Sequence, residues 1–161
     1  MVGTQRLVAD WVLPHASGGS VVEEHRLLII DDEADVASIV AEAAVACGFV
    51  VCKSHQPEEF KQIYGDFQPH VIVLDLGMPK TDGIELLSFL ADIGSQAKIF
   101  IFSGLDPTML RVAAGLGVAR GLNMAGSLGK PVRLSELNKC LLALKEACDL
   151  SPVKDCPSAL A

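Results

Sequence analysis

The sequence has no long apolar segment and no concentration of positive charge. No run of residues approaches the roughly 20 apolar positions that a membrane-spanning helix needs. Residues 1–14 include Asp10 and lack both the basic start and the uninterrupted apolar core of a signal peptide. The 13 lysines and arginines are scattered and the formal net charge is −7, so the basic face that binds nucleic acid is missing. We therefore expect a cytoplasmic protein with neither a membrane nor a nucleic-acid partner.

Cysteine and histidine do occur, but not in the spacings that build a disulfide framework or a zinc site. The five cysteines form no Cys-x-x-Cys pair and their number is odd, which is typical of reduced thiols in the cytosol. The four histidines are spread out, without metal-ligand spacing. Half of the residues are hydrophobic and a fifth are charged, so the 161-residue chain is predicted to be globular and of one-domain size.

Three apolar runs each stop at a residue suited to phosphate chemistry, and a weaker fourth run precedes a Lys-Pro pair. Helical periodicity between the runs predicts that strand and helix alternate five times, as in an α/β fold with a parallel sheet and helices on both faces. The carboxyl ends of parallel strands meet at one edge of the sheet. We therefore expect the polar residues after the runs to share one pocket: Asp31, Asp32, Asp75, Ser103 and Lys130.

The predicted domain covers residues 24–148. Residues 1–23 form an extension, with a short helix predicted at 4–13 and a flexible linker at 16–20. Residues 149–161 contain two prolines and no periodicity, which is typical of a loose tail. Three helices have predicted N-caps, at Asp82, Asp106 and Ser135.

Three carboxylates at one edge of a sheet create an electrostatic problem. Two like charges about 4 Å apart repel by about 4 kcal/mol at an effective dielectric constant of about 20, so we expect a bound cation or a protonated acid. Oxygen ligands with open positions suit Mg²⁺, and a carboxylate can itself attack phosphorus to give an aspartyl-phosphate. The Ser103 hydroxyl and the Lys130 ammonium group would then hold the transferred oxygens.

Together these residues resemble the receiver domain of two-component response regulators. The resemblance rests on Asp31-Asp32, the segment Asp-Leu-Gly-Met-Pro-Lys-Thr-Asp-Gly at 75–83, Ser103-Gly104 and Lys130-Pro131. It covers about residues 24–148 in unbroken order. It implies a doubly wound, flavodoxin-like receiver fold with strand order 2-1-3-4-5, and a stand-alone phosphoacceptor protein of the regulatory kind rather than an enzyme.

The resemblance also implies a role for each matched residue. Asp75 would accept a phosphoryl group from the phosphohistidine of a sensor histidine kinase or a histidine phosphotransfer protein. Asp32 would bind Mg²⁺ directly and Asp31 largely through water, and Asp75 and the main-chain carbonyl of Gly77 would complete the protein ligands.

At the other side of the pocket, the resemblance implies that Ser103 hydrogen-bonds the phosphoryl group and that Lys130 pairs with it. The Lys130-Pro131 bond is predicted to be cis, since a cis bond is readily accommodated only before proline. A downstream protein would bind the surface formed by the fourth helix, fifth strand and last helix, and a homodimer is also compatible with the resemblance.

The segment between Ser103 and Lys130 departs from the family pattern. Receivers usually carry an aromatic residue three positions before the lysine, where this chain has Ser127. The many glycines between Ser103 and Lys130 predict that this segment is mobile. Residues 121–131 also look similar to receivers attached to cyclic-di-GMP phosphodiesterase domains.

Two other functions therefore stay open. The resemblance implies that phosphorylation acts through a Mg²⁺-dependent conformational switch, and one alternative is a receiver-like interaction module in which this switch is lost or atypical. The other is a phosphatase of the aspartate-nucleophile class, which is disfavoured because those enzymes carry Asp-x-Asp and this chain has Asp75-Leu76-Gly77.

Overall fold

Five parallel strands form one sheet in the order β2-β1-β3-β4-β5. The computed structural model describes residues 24–79 and 83–150. The strands are β1 (His25–Ile30), β2 (Phe49–Ser54), β3 (Val71–Leu74), β4 (Lys98–Ser103) and β5 (Asn123–Gly129). The helices are α1 (Ala34–Ala46), α2 (Pro57–Phe67), α3 (Gly83–Asp92), α4 (Pro107–Ala119) and α5 (Leu134–Leu150). Both the predicted α/β class and the predicted strand order are confirmed.

The sheet separates two hydrophobic cores, because the side chains of each strand alternate between its faces. Leu28 and Ile30 of β1 pack into the core formed with α2, α3 and α4. Leu27 and Ile29 pack into the core on the side of α1 and α5. All four side chains are essentially buried, and each contributes about 1.5–3 kcal/mol of hydrophobic stabilisation. Burial on both faces explains why the inner strands are continuous apolar runs.

The register of the strands brings their carboxyl ends level with one another. Ile30 pairs with Leu74 between β1 and β3, and Ser103 pairs with Gly129 between β4 and β5. The ladder then continues one residue beyond the strands, where the Asp75 N–H donates to the Ile30 carbonyl at 3.0 Å and the Lys130 N–H donates to the Ser103 carbonyl at 2.9 Å. Backbone hydrogen bonding therefore fixes the positions of these residues at one edge of the sheet.

Strand β5 contains a bulge. Ile99 of β4 pairs with Met124, but the next residue, Phe100, pairs with Gly126, so that Ala125 is the extra residue. Gly126 has φ +143°, a left-handed conformation that favours glycine. The strand predicted from the weaker apolar run before Lys130 is confirmed, whereas the mobility predicted for the glycine-dense segment stays a prediction.

Two of the predicted helix caps are tested by the structure. Asp106 caps α4, and its Oδ1 accepts hydrogen bonds from the N–H groups of Thr108 at 2.9 Å and Met109 at 3.1 Å. The cap predicted at Ser135 is wrong, because α5 begins one residue earlier and the Arg133 carbonyl accepts from the Leu137 N–H at 3.1 Å. The third prediction, Asp82, lies outside the described residues.

The last helix extends to Leu150, two residues beyond the predicted end of the domain at 148. Asp149 is held there because its Oδ1 lies 2.6 Å from Nε2 of the buried His25 at the start of β1. The helix predicted at 4–13, the linker at 16–20 and the remainder of the predicted tail, 151–161, lie outside the described residues. Within the described ranges, no helix combines the length and hydrophobicity that crossing a membrane requires.

Candidate functional site

The carboxylates of Asp31 and Asp75 lie at the carboxyl edge of the sheet with the ammonium group of Lys130 between them. Lys130 Nζ is 2.7 Å from Asp31 Oδ2 and 3.3 Å from Asp75 Oδ2. The side chains of the two acids are only 4% and 5% exposed, and that of Lys130 is 14% exposed. Three of the residues predicted from the strand ends therefore form one buried charged cluster.

The loops that follow the strands orient each carboxylate. The Glu33 N–H donates to Asp31 Oδ1 at 2.9 Å, and the Gly77 N–H donates to Asp75 Oδ1 at 2.8 Å. In both acids Oδ1 accepts from a main-chain N–H two residues along the chain, and Oδ2 faces Lys130. Because each carboxylate has a fixed partner for each of its oxygens, the orientation of each side chain is fixed.

Ser103 and Gly77 lie beside Asp75. Ser103 is fully buried, and its Oγ accepts from the Leu105 N–H at 3.4 Å. A Cβ atom added to Gly77 would lie 3.3 Å from Ser103 Oγ and 3.5 Å from Asp75 Oδ1. The space over Gly77 is thus bounded by the Ser103 hydroxyl and the Asp75 carboxylate. The Gly77 carbonyl as a metal ligand stays a prediction.

The excess of carboxylates over ammonium groups affects the acid–base behaviour of the cluster. Burial raises the pKa of Asp31, hydrogen bonds from Lys130 and from the Glu33 N–H partly oppose this rise, and the charge of Asp75 adds to it. Burial acts to lower the pKa of Lys130, but its hydrogen bond to Asp31 and the neighbouring negative charges outweigh burial, and that pKa is raised. Without a bound metal ion, the site therefore holds protons more strongly than isolated side chains would, and its negative charge attracts cations.

The acidic residues are close enough together to share a metal ion. One carboxylate oxygen from each of four residues lies within 4.8 Å of the others: Asp31, Asp32, Glu33 and Asp75. Oxygen donors of this kind fit Mg²⁺. Asp32 is exposed at the rim, whereas Asp31 and Asp75 are buried.

The site contains two residues that sequence reasoning missed. Glu33 Oε1 lies 3.6 Å from Lys130 Nζ, and the available signal was its place as the third consecutive acid after β1. His55 Nδ1 lies 2.9 Å from the main-chain oxygen of Asp31, and because a carbonyl oxygen only accepts, Nδ1 donates. No pattern in the sequence pointed to His55.

A largely apolar groove leads away from the site between α1 and α5, and we call it the α1–α5 groove. Its volume is about 1090 Å³, and Ile39 and Leu134 on its walls are 52% and 57% exposed. Asp75 and Lys130 line its inner end. On the other side of the site, a more polar cavity of about 580 Å³ is lined by residues that include Asp32 and His55.

The side of the site near β5 matches the prediction in one respect. The Lys130-Pro131 peptide bond is cis, as predicted. Ser127 of β5 is exposed and pairs with Ile101 of β4. The aromatic ring near the lysine belongs instead to Phe102 of β4, whose centroid is 5.3 Å from Lys130 Nζ.

Comparisons with known proteins agree with this geometry. A family model described as the response regulator receiver domain matches residues 27–142. The chain is 32% identical over 91 residues to the chemotaxis protein CheY of Bacillus subtilis (strain 168), an alignment that covers 56% of this chain and 76% of that protein. It is 29% identical over 119 residues to the response regulator MprA of Mycobacterium ulcerans (strain Agy99). That second alignment covers 74% of this chain and 49% of MprA, so the chain spans about half the length of that relative.

A solved structure is also similar. A response regulator from Colwellia psychrerythraea superimposes with a TM-score of 0.68 at 29% identity, covering 76% of this chain and 98% of that one.

Removing the positive charge of Lys130 and removing the negative charge of Asp31 should change the free energy of unfolding of the metal-free protein in opposite directions. In metal-free buffer at pH 7, we expect Lys130→Met to lower the free energy of unfolding by about 3 kcal/mol, because it leaves two buried carboxylates uncompensated. Asp31→Asn should raise it, by something on the order of 1 kcal/mol, because burial and then the charge of Asp75 raise the pKa of Asp31, so that its charged form is disfavoured in the folded state. Urea denaturation of both variants measures these changes.

The raised pKa of Asp31 fixes how the second effect depends on pH. A group whose pKa is higher in the folded state than in the unfolded chain contributes fully to stability when the pH is below its unfolded-state pKa. That contribution is lost as the pH rises through the folded-state pKa. The gain from Asp31→Asn should therefore disappear below pH 3.8, the ordinary value of this carboxyl. A loss of stability in Asp31→Asn at pH 7 would contradict this account of the cluster.

Proposed function

Because the chain belongs to the response regulator receiver domain family, we propose that it is a response regulator in which Asp75 accepts a phosphoryl group from a phosphohistidine. The observation that carries the proposal is the buried Asp75 carboxylate, held by the Gly77 N–H and lying 3.3 Å from Lys130 Nζ. This arrangement presents a nucleophile beside a cation and a hydroxyl, at the inner end of an open groove. We propose that it acts as a stand-alone regulator in the cytoplasm.

The proposed transfer requires little chemistry beyond positioning. A carboxylate oxygen of Asp75 attacks phosphorus, the bond from phosphorus to the donor imidazole nitrogen breaks, and the electron pair of that bond leaves with the imidazole. Lys130 exchanges its carboxylate partners for an oxygen of the transferred group, and the Ser103 hydroxyl donates to another. Mg²⁺ held by Asp31, Asp32, Asp75 and the Gly77 carbonyl would neutralise negative charge on the phosphoryl oxygens.

The same geometry argues against an efficient phosphatase. Position 77, where such an enzyme would need an acidic side chain, is a glycine that lies between Asp75 and Ser103. The chain therefore has no carboxyl group at this position to protonate a leaving group. We propose that the protein is a substrate of phosphotransfer rather than a turnover enzyme.

The phosphohistidine donor, a sensor histidine kinase or a phosphotransfer protein, should dock along the α1–α5 groove. Asp75 and Lys130 line the inner end of this groove, so a donor seated there brings its histidine to the acceptor. Because Ile39 and Leu134 are exposed, we expect the donor to present an apolar surface to them. The acids Glu33 and Glu42 also line the groove, so we expect basic residues next to that apolar surface on the donor.

The output surface is proposed to be α4, β5 and α5. Met109 and Val112 on α4 are 47% and 58% exposed, and neighbouring β5 is mostly exposed. Phosphorylation would bias this surface between two conformations, so that a downstream protein or a second copy binds one of them more tightly. An interaction module without a switch is the alternative, and it is favoured by the exposed Ser127 at the position where an aromatic residue is expected.

Incubation with acetyl phosphate and Mg²⁺ should add one phosphoryl group to the protein, detected in the intact mass. The adduct should be absent in Asp75→Asn and after removal of Mg²⁺ by a chelator. The isosteric variant removes the nucleophile and keeps an oxygen that accepts from the Gly77 N–H, but its amide nitrogen cannot accept from Lys130. Asp92→Asn at the exposed end of α3 is the matched control and should label normally. A labelled Asp75→Asn variant would show that another residue is the acceptor.

Substitution of Ile39 by Glu should slow transfer from a phosphorylated kinase that transfers to the wild-type chain, by about tenfold or more. The reason is that a charge then lies in the apolar contact, at a cost of about 1–3 kcal/mol. Labelling by acetyl phosphate should be unchanged, because a small donor needs no docking surface. Ile93→Glu, at an exposed apolar position distant from the groove, is the control; equal slowing of both variants would reject the proposed docking site.

A further inference from the structure

Glu33 is an acidic residue of the site that has no role in the proposed bond-making and bond-breaking step, although it lines the groove proposed for the donor. It occupies the N-cap position of α1, yet its side chain makes no capping hydrogen bond. Instead its Oε1 lies 3.6 Å from Lys130 Nζ, while the side chain remains 62% exposed. The carboxylate is therefore directed to the lysine rather than to the helix terminus.

Lys130 must change partners during the proposed reaction, and Glu33 opposes that change. In the free protein its ammonium group is shared among Asp31, Asp75 and Glu33, at 2.7, 3.3 and 3.6 Å. Asp31 and Asp75 are buried and held by main-chain N–H groups. Glu33 is an exposed side chain that can follow the lysine, so it competes for the ammonium group as the phosphoryl group arrives.

We infer that Glu33 is a positioning residue that competes with the phosphoryl group for Lys130 and thereby slows phosphorylation of Asp75. This inference rests on the proposed function. Its carboxylate also adds negative charge to the acidic cluster, which attracts a divalent cation. Glu33 therefore acts in opposite directions on two measurable quantities: it weakens the hold of Lys130 on the phosphoryl group and strengthens the binding of Mg²⁺.

The test uses acetyl phosphate as donor at saturating Mg²⁺, where the Asp75 oxygen–phosphorus bond forms as the phosphorus–oxygen bond to acetate breaks. We expect Glu33→Gln to raise the phosphorylation rate about two- to fivefold, the range that a partly exposed ion pair supports. The same variant should bind Mg²⁺ about two- to fivefold more weakly in a titration of the unphosphorylated protein. A residue with a purely structural role would not shift the two quantities in opposite senses.

Two further variants separate contact from charge. Glu33→Asp keeps the charge but shortens the side chain by one methylene, so its phosphorylation rate should resemble that of Glu33→Gln. Asp35→Asn removes a carboxylate from the exposed first turn of α1 and should leave the rate at the wild-type value. A wild-type rate in Glu33→Asp would overturn the positioning role, as would an unchanged or slower rate in Glu33→Gln.

These outcomes are distinct from failure of the proposed function. If the wild-type chain is not labelled at all, the assignment of Asp75 as acceptor fails, and the inference about Glu33 fails with it. If the wild-type chain is labelled and Glu33→Gln is labelled at the same rate, the inference about Glu33 alone is rejected.

Discussion

The buried ammonium group of Lys130 allows Asp31 and Asp75 to share one edge of the sheet. Without it, two carboxylates in this low-dielectric position would repel each other by several kcal/mol, a large part of the stability of a small domain. The lysine is placed by the backbone, since its N–H extends the β4–β5 ladder by donating to the Ser103 carbonyl at 2.9 Å. The fold and the charged site therefore depend on the same strand register.

That register also explains how much of the site could be predicted from the sequence. Parallel strands that end level with one another carry Asp31, Asp75, Ser103 and Lys130 to one edge, so marking the strand ends was enough to group these residues. Glu33 could not be found in this way, because its relation to Lys130 depends on side-chain reach across two loops. The start of α5 was mispredicted for a different reason: Ser135 lies inside the helix, whose first main-chain hydrogen bonds are accepted by the Arg133 carbonyl.

The region beyond Ser103 is where this chain differs from the family pattern it otherwise matches. Strand β5 carries a bulge at Ala125 and an exposed Ser127, so no aromatic side chain at that position can report on the site. Phe102 lies 5.3 Å from Lys130 and packs in the core beside α5. A movement of Lys130 toward a phosphoryl group would alter this contact, which makes α5 a physically reasonable element to respond to phosphorylation.

In the proposed function, a phosphoryl group attached to Asp75 contacts the site residues and also changes the output surface. NMR shift mapping with Mg²⁺ and beryllofluoride, a mimic of aspartyl-phosphate, tests both parts together. We expect saturable shift changes at Asp75, Ser103 and Lys130 that extend into α4, β5 and α5, and that are lost in Asp75→Ala. Changes confined to the site would show a receiver without a switch, and the same changes in Asp75→Ala would show that the mimic does not act through Asp75.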